Sequence, residues 1–195
     1  MGYTPERTKA AIFQAAVEEF AARGLAGARV DRIAASAGAD KKAIYLYFGD
    51  KRELFNAVLA HELERLAEAV PFDGDVPDYV GRLFDYHCEH PQHLRLMLWE
   101  SLELGADEVP AQAARAAHYR RRPAPLAEAI RDGNLDPSLD PAGLMLILAG
   151  MVGWTFAVPQ MARMVLGDAP SVLASQRALL LDCAHRLVGT TPPRS

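Results

Sequence analysis

Apolar positions recur at helical spacing along this chain, and the segments they mark read as helices. Ile12, Phe13, Ala16, Val17 and Phe20 form one stripe behind Thr4 and Pro5, a capping residue and a proline suited to the first helical position; Gly24 ends it. Val30, Ile33, Ala34 and Ala37 mark a short second helix, closed by Gly38, which takes positive φ at little cost. Asp40 can then cap a third helix over residues 41–48. Gly49 ends that one, and Asp50 with Glu53 spells a capping box for a helix of about twenty residues carrying Leu54, Phe55, Val58, Leu59, Leu63 and Leu66. After a loop at 71–78, helices are predicted over 79–90, 91–105, 110–122 and 126–131, with Pro123 and Pro125 breaking the third from the fourth. A turn-rich linker at 133–141 leads to an uncharged helix at 141–158, and Ser171 opens the last helix, with Leu173, Leu180, Leu181, Ala184, Leu187 and Val188 periodic.

Two short helices around a glycine-containing turn make a helix-turn-helix, whose second helix can enter the DNA major groove. In that second helix Ala43, Ile44 and Phe48 can face inward, while Lys41, Lys42, Tyr45 and Tyr47 supply charge and hydroxyls outward. Lys51 stands just past its end, where a phosphate would run, and Arg29 just before the first helix of the pair. These six residues are the candidate DNA contacts, with Lys42 aimed at base edges or the adjacent backbone and Tyr45, Tyr47 and Lys51 at phosphates.

The order of residues says more. Ile33-Ala34, Ala37-Gly38, Ile44-Tyr45, Tyr47-Phe48, Lys51 and Leu54, with Arg7, Ile12, Ala15-Ala16, Phe20 and Gly24 upstream, resemble the signature of the TetR family of bacterial one-component repressors. The motif spans about the first quarter of the chain. Four positions depart from it: Arg29 stands where serine or threonine is usual, Asp40 where serine is usual, Lys42 where glycine is usual, and Leu46 where a polar or aromatic residue is commoner. The resemblance implies an all-α protein with a three-helix DNA-binding head (1–56) and a larger ligand-binding and dimerisation body (57–195). It also implies an inducer cavity in the body and a four-helix dimer bundle.

Charge and cysteine content agree with such a division. Residues 1–56 hold nine Lys/Arg against seven Asp/Glu, and the remainder twelve against eighteen, a mildly basic head on an acidic body within a net charge of −4. Cys88 and Cys183 are isolated and are expected as reduced core thiols of a cytoplasmic protein. The segment 141–158 is as long as a membrane span needs, but its glycines, Thr155 and the following Pro159 favour a buried core helix.

Catalytic chemistry finds no footing: there is no nucleophile elbow and no glycine-rich phosphate loop. His87, His90 and His93 near Cys88 are dense enough to suggest metal ligands, but Pro91 interrupts their helix, and neither a metal nor a cofactor is expected. A small-molecule effector is expected instead, apolar or aromatic, lined by Phe84, His87, Met97, Trp99, Tyr119, Trp154 and Phe156, with Glu100 and His118 nearby; each of these can equally be a core residue. The run Arg120–Arg122 reads either as a second nucleic-acid patch or as a solvated helix face. Met145, Leu148 and Val152 on one helix and Leu173, Leu180 and Leu187 on another offer a homodimer surface. The expected function is thus a homodimeric regulator, a repressor of a palindromic double-stranded operator released by a small ligand. The competing class is a helical protein-interaction adaptor that keeps the motif as scaffold.

Overall fold

The computed structural model describes residues 4–105, 109 and 112–189. Among them the chain forms helices and no strand: α1 (Pro5–Gly27), α2 (Val30–Ala37), α3 (Lys41–Phe48), α4 (Lys51–Ala69), α5 (Val76–Glu89), α6 (Pro91–Glu103), α7 (Gln112–Arg121), α8 (Ala124–Arg131), α9 (Pro141–Ala157), α10 (Pro159–Leu166) and α11 (Val172–Leu187). They fall into two compact units. One holds α1 to α3, α4 as far as Leu66, and α6; the other holds α5 and α7 to α11.

The first unit is wider than the expected head of residues 1–56, because α6 is part of it. Its core joins Ile12, Ala16, Phe20, Ile33, Ile44, Leu54, Phe55 and Val58 to Leu96 of α6. The reason lies in a break in α1. Gly24 sits at φ 67° and ψ −177°, which turns the Leu25 N–H away from the Ala21 carbonyl it would meet in a continuous helix. Helix α6 satisfies both orphaned groups. Glu103 accepts from the N–H of Leu25 at 2.6 Å and of Ala26 at 3.0 Å. The Ala21 carbonyl accepts from Arg95 Nε at 2.8 Å and from Trp99 Nε1 at 3.2 Å. A Cβ on Gly24 would stand 2.7 Å from the Trp99 ring and closer still to Glu103, so both its backbone and its surroundings require glycine.

In the second unit α5 packs against α9 and α11, and α8 against α9. Arg177 of α11 clamps Asp85 of α5 through two hydrogen bonds of 2.8 Å. Helix α5 begins three residues before the expected 79, because Asp75 accepts from the Asp78 N–H at 2.9 Å and caps it. Asp140 caps α9 in the same way, through the Gly143 N–H at 2.6 Å. Thr4 and Ser171 occupy N-cap positions, but neither side chain makes the capping bond. Pro110, the expected start of α7, lies outside the described residues.

Two expectations for this unit are corrected, and one helix is added to them. Helix α9 is not a buried core helix: only a stripe of Leu144, Leu148, Val152 and Gly153 is buried, while Leu146 is 75% exposed and Ile147 58%. Cys88 and Cys183 are exposed, because they lie on outward faces of α5 and α11 rather than on the packed ones. Helix α10 was not anticipated; Pro159 starts it after a bend of 82° from α9, and it buries none of its residues within the chain. Among the described residues no single helix is long and apolar enough to cross a membrane.

Candidate nucleic-acid interface

The helix-turn-helix is built by short-range capping. Gly38 takes the left-handed conformation at φ 61°, and its N–H returns to the end of α2. Asp40 accepts from the Lys42 N–H at 2.8 Å and starts α3. At the far end Gly49 (φ 77°) stops α3, and the capping box closes reciprocally: Glu53 accepts from the Asp50 N–H at 2.9 Å and Asp50 from the Glu53 N–H at 2.8 Å. Ile44 is wholly buried and fixes α3 to the core, while Phe48 packs on Phe13 with ring centroids 6.2 Å apart.

Arg29 does not cap α2 with its side chain. Its backbone N–H is taken instead by Glu19 of α1 at 3.0 Å, and the same carboxylate binds Arg32 Nε at 2.7 Å. Burial pushes the Glu19 carboxyl up, but the hydrogen bonds from Arg32 and Arg29 and the charges of Arg32 and Arg23 outweigh it, and the net shift is downward. An ionised Glu19 therefore pins the start of α2. No local pattern could have assigned this role to Glu19, since its partners lie 10 and 13 residues away.

The six candidate contacts are not equivalent. Arg29, Lys42 and Tyr45 are exposed, and among the described residues neither cation has a carboxylate within 4 Å. Lys41 is exposed but paired with Asp31 at 2.7 Å, an ion pair whose hydrogen bond raises the pKa of the lysine. Tyr47 is partly covered, edge-on to Phe48 at 6.5 Å. Lys51 is partly covered too, and its ammonium group donates to the Ala28 carbonyl at 3.2 Å. Leu46, absent from the expected contacts, is 78% exposed on this outward surface.

The seven candidate ligand residues do not converge. Phe84, His87 and Phe156 form one packed aromatic cluster, with Phe156 at 5.1 Å from Phe84 and 5.5 Å from His87. Desolvation in this cluster lowers the His87 pKa to about 4. Trp154 is exposed on the outside of α9. Met97, Trp99 and Glu100 belong to the first unit, where Trp99 serves the α1 break described above. Tyr119 alone of the seven lines the roomy cavity of the second unit. His87 and His93, close in sequence, fall in different units. The His118 side chain lies outside the described residues.

Of the six candidate dimer residues, Leu148, Val152 and Leu180 are buried inside the chain's own core and are not available at a surface; Leu173 and Leu187 are exposed and Met145 is partly so. The apolar surface of α9 that is free belongs to Leu146, Ile147 and Trp154, and α10 adds Met161, Met164 and Val165.

Residues 12–58 match the profile of bacterial regulatory proteins of the tetR family, and residues 75–186 that of the tetracyclin repressor-like C-terminal domain. The chain is 43% identical to the HTH-type transcriptional repressor SCO4008 of Streptomyces coelicolor, over 94% of this chain and 96% of that one. The chain belongs to the TetR family. It is also 30% identical to the HTH-type transcriptional regulator RutR of Escherichia coli, over 72% of this chain and 69% of that one. Among solved structures, the transcriptional regulator SCO4942 of Streptomyces coelicolor superposes with a TM-score of 0.80 at 36% identity, covering 92% of this chain and 97% of that one. TetR-family proteins are DNA-binding regulators rather than enzymes, and α2–α3 lies within the matched DNA-binding region.

Proposed function

We propose that this TetR-family regulator is a repressor that binds a palindromic operator as a homodimer and is released by a small molecule. The observation that carries the DNA-binding part is the α3 surface, where Lys42, Tyr45 and Leu46 are exposed and Arg29 stands exposed at the start of α2. Lys42 would read base edges; Tyr45, Tyr47 and Lys51 would hold phosphates, with Lys51 exchanging the Ala28 carbonyl for a phosphate oxygen. Lys41 and Arg29 would add backbone contacts. The name of the relative SCO4008 supports repression. Dimerisation is supported by the exposed apolar residues of α9 and α10 together with Leu173, Leu179 and Leu187 of α11. Release would be carried by α4, the helix whose residues are divided between the two units at Leu66.

Selection of bound fragments from random duplex DNA tests the reading. A palindrome with half-sites about one helical turn apart is expected. Affinity for it should fall steeply with salt, in proportion to the phosphates contacted. Recovery of no enriched sequence, or binding without salt dependence, would overturn it in favour of the adaptor reading.

A further inference from the structure

The second unit contains a cavity of about 810 Å³ between α5, α7, α8 and the first half of α9, within the size range of small-molecule sites. Its hollow exists because α8 and α9 present small side chains there, Ala124, Ala127, Ala142 and Ala149, against the larger Met145 and Leu146. Its polar side is cationic: Arg120, from the last turn of α7, and Arg122 just beyond it. Four other arginines of this unit pair with carboxylates: Arg82 with Asp73 and Asp78, Arg131 with Glu128, Arg163 with Asp168, Arg177 with Asp85. Arg120 and Arg122 have no such partner among the described residues. Asp140 also lines the cavity, but its carboxylate is engaged in capping α9. Arg122 is near enough to the buried Tyr79 hydroxyl that its charge opposes the rise burial causes there.

We infer that this cavity binds an amphipathic organic anion, its carboxylate held by Arg120 and Arg122 and its apolar body laid between α8 and α9. A guanidinium fork matches a carboxylate, and the alanine-lined walls match a hydrocarbon or aromatic body. The inference rests on the ligand-release reading and names the ligand class for it. It also gives the triplet at 120–122 a role that is neither a nucleic-acid patch nor a merely solvated face.

The test uses the full-length protein with anilinonaphthalenesulfonate as a fluorescent probe, displaced by decanoate or by the uncharged decanol. Decanoate should displace the probe at least about tenfold more effectively than decanol, and the R120Q/R122Q variant should lose that difference. Ala127→Phe, which fills the cavity, should abolish displaceable probe binding while thermal melting shows the fold retained. Equal displacement by acid and alcohol, or an undiminished preference in R120Q/R122Q, would overturn the site. Operator affinity measured alongside separates the two ideas. Arginine-dependent decanoate binding that leaves operator affinity unchanged supports the site and counts only against release. Ligand release that persists in R120Q/R122Q overturns the site and leaves release standing.

A second inference stands on a separate observation. Leu46 lies one helical turn beyond Lys42 on α3 and is 78% exposed. The geometry points to Leu46 as a reader of thymine, through apolar contact with the 5-methyl group displayed in the major groove. Replacing thymine by uracil removes that methyl and nothing else. One thymine in each half-site of the selected operator should become about fourfold weaker as uracil, the worth of one buried methyl-sized group. Leu46→Ala should bind the two duplexes equally, with a nearly unchanged melting temperature because Leu46 is 78% exposed. If no thymine is sensitive, or if Leu46→Ala still distinguishes uracil, the assignment is wrong.

Discussion

Replacing Ile147 by aspartate and, separately, Leu148 by alanine should affect two different equilibria. The residues are adjacent on α9, yet Ile147 is 58% exposed and Leu148 not at all. Fully burying an isoleucine side chain is worth about 1.5–3 kcal/mol, so Ile147 still has about 1–2 kcal/mol to gain from a partner surface. A two-fold interface counts it twice, about 2–4 kcal/mol, before the cost of desolvating two aspartates is added. The dimer dissociation constant of Ile147→Asp should therefore rise by about 30-fold to 1,000-fold. Leu148→Ala instead leaves a hole within one chain and should cost about 3–5 kcal/mol of folding stability. Sedimentation equilibrium reads the first effect, and urea unfolding at a fixed, high protein concentration reads the second, since dimerisation contributes to apparent stability. An unmoved dissociation constant for Ile147→Asp would refute the assignment of this face to the interface. So would a Leu148→Ala protein that dissociates as readily as Ile147→Asp while keeping its stability.

Three further outcomes are expected. Lys51→Ala should weaken binding to every duplex and reduce the salt slope by about one, whereas Lys42→Ala should relax preference at one or two positions per half-site; anisotropy titrations across a salt series check both. Glu103→Ala strips two backbone N–H groups of a charged acceptor and should destabilise the DNA-binding unit by about 2–3 kcal/mol in urea, with Glu103→Gln intermediate. Because burial holds His87 near 4 while its ordinary value is 6.5, only the unfolded chain takes up this proton between those values. Stability should thus be insensitive to His87 above about pH 7 and fall by up to about 3 kcal/mol as pH drops from 6.5 to 4; unfolding of His87→Phe across that range should lack this component.

The DNA-binding corner was legible because its signals are local. Gly38, Asp40, Gly49 and the Asp50–Glu53 box each act within four residues, and all four sit where the sequence placed them. The limits of the head were not legible, since Glu103, Arg95 and Trp99 reach α1 across 74 to 78 residues. In α9 the difficulty was of another kind. Where nearly every residue is apolar, periodicity cannot mark a buried face, so Leu148 and Val152 could not be told from Leu146 and Ile147. The aromatics chosen as ligand lining were large residues on separate helices, and large residues fill cores; the cavity lies where alanines leave room.

The broken bond in α1 also sets a rule for recombination. Its donor and its acceptor are both completed by side chains from α6, so a DNA-binding segment cut after residue 56 or 58 carries away half of a joint and leaves the other half behind. A hybrid regulator made at that seam would pair a foreign α6 with this α1, or this α6 with a foreign one, and would keep its helix-turn-helix only if the acceptor and donors were matched across the seam. Heads and bodies in such a protein are inherited, and can be exchanged, only together with the residues at 95, 99 and 103.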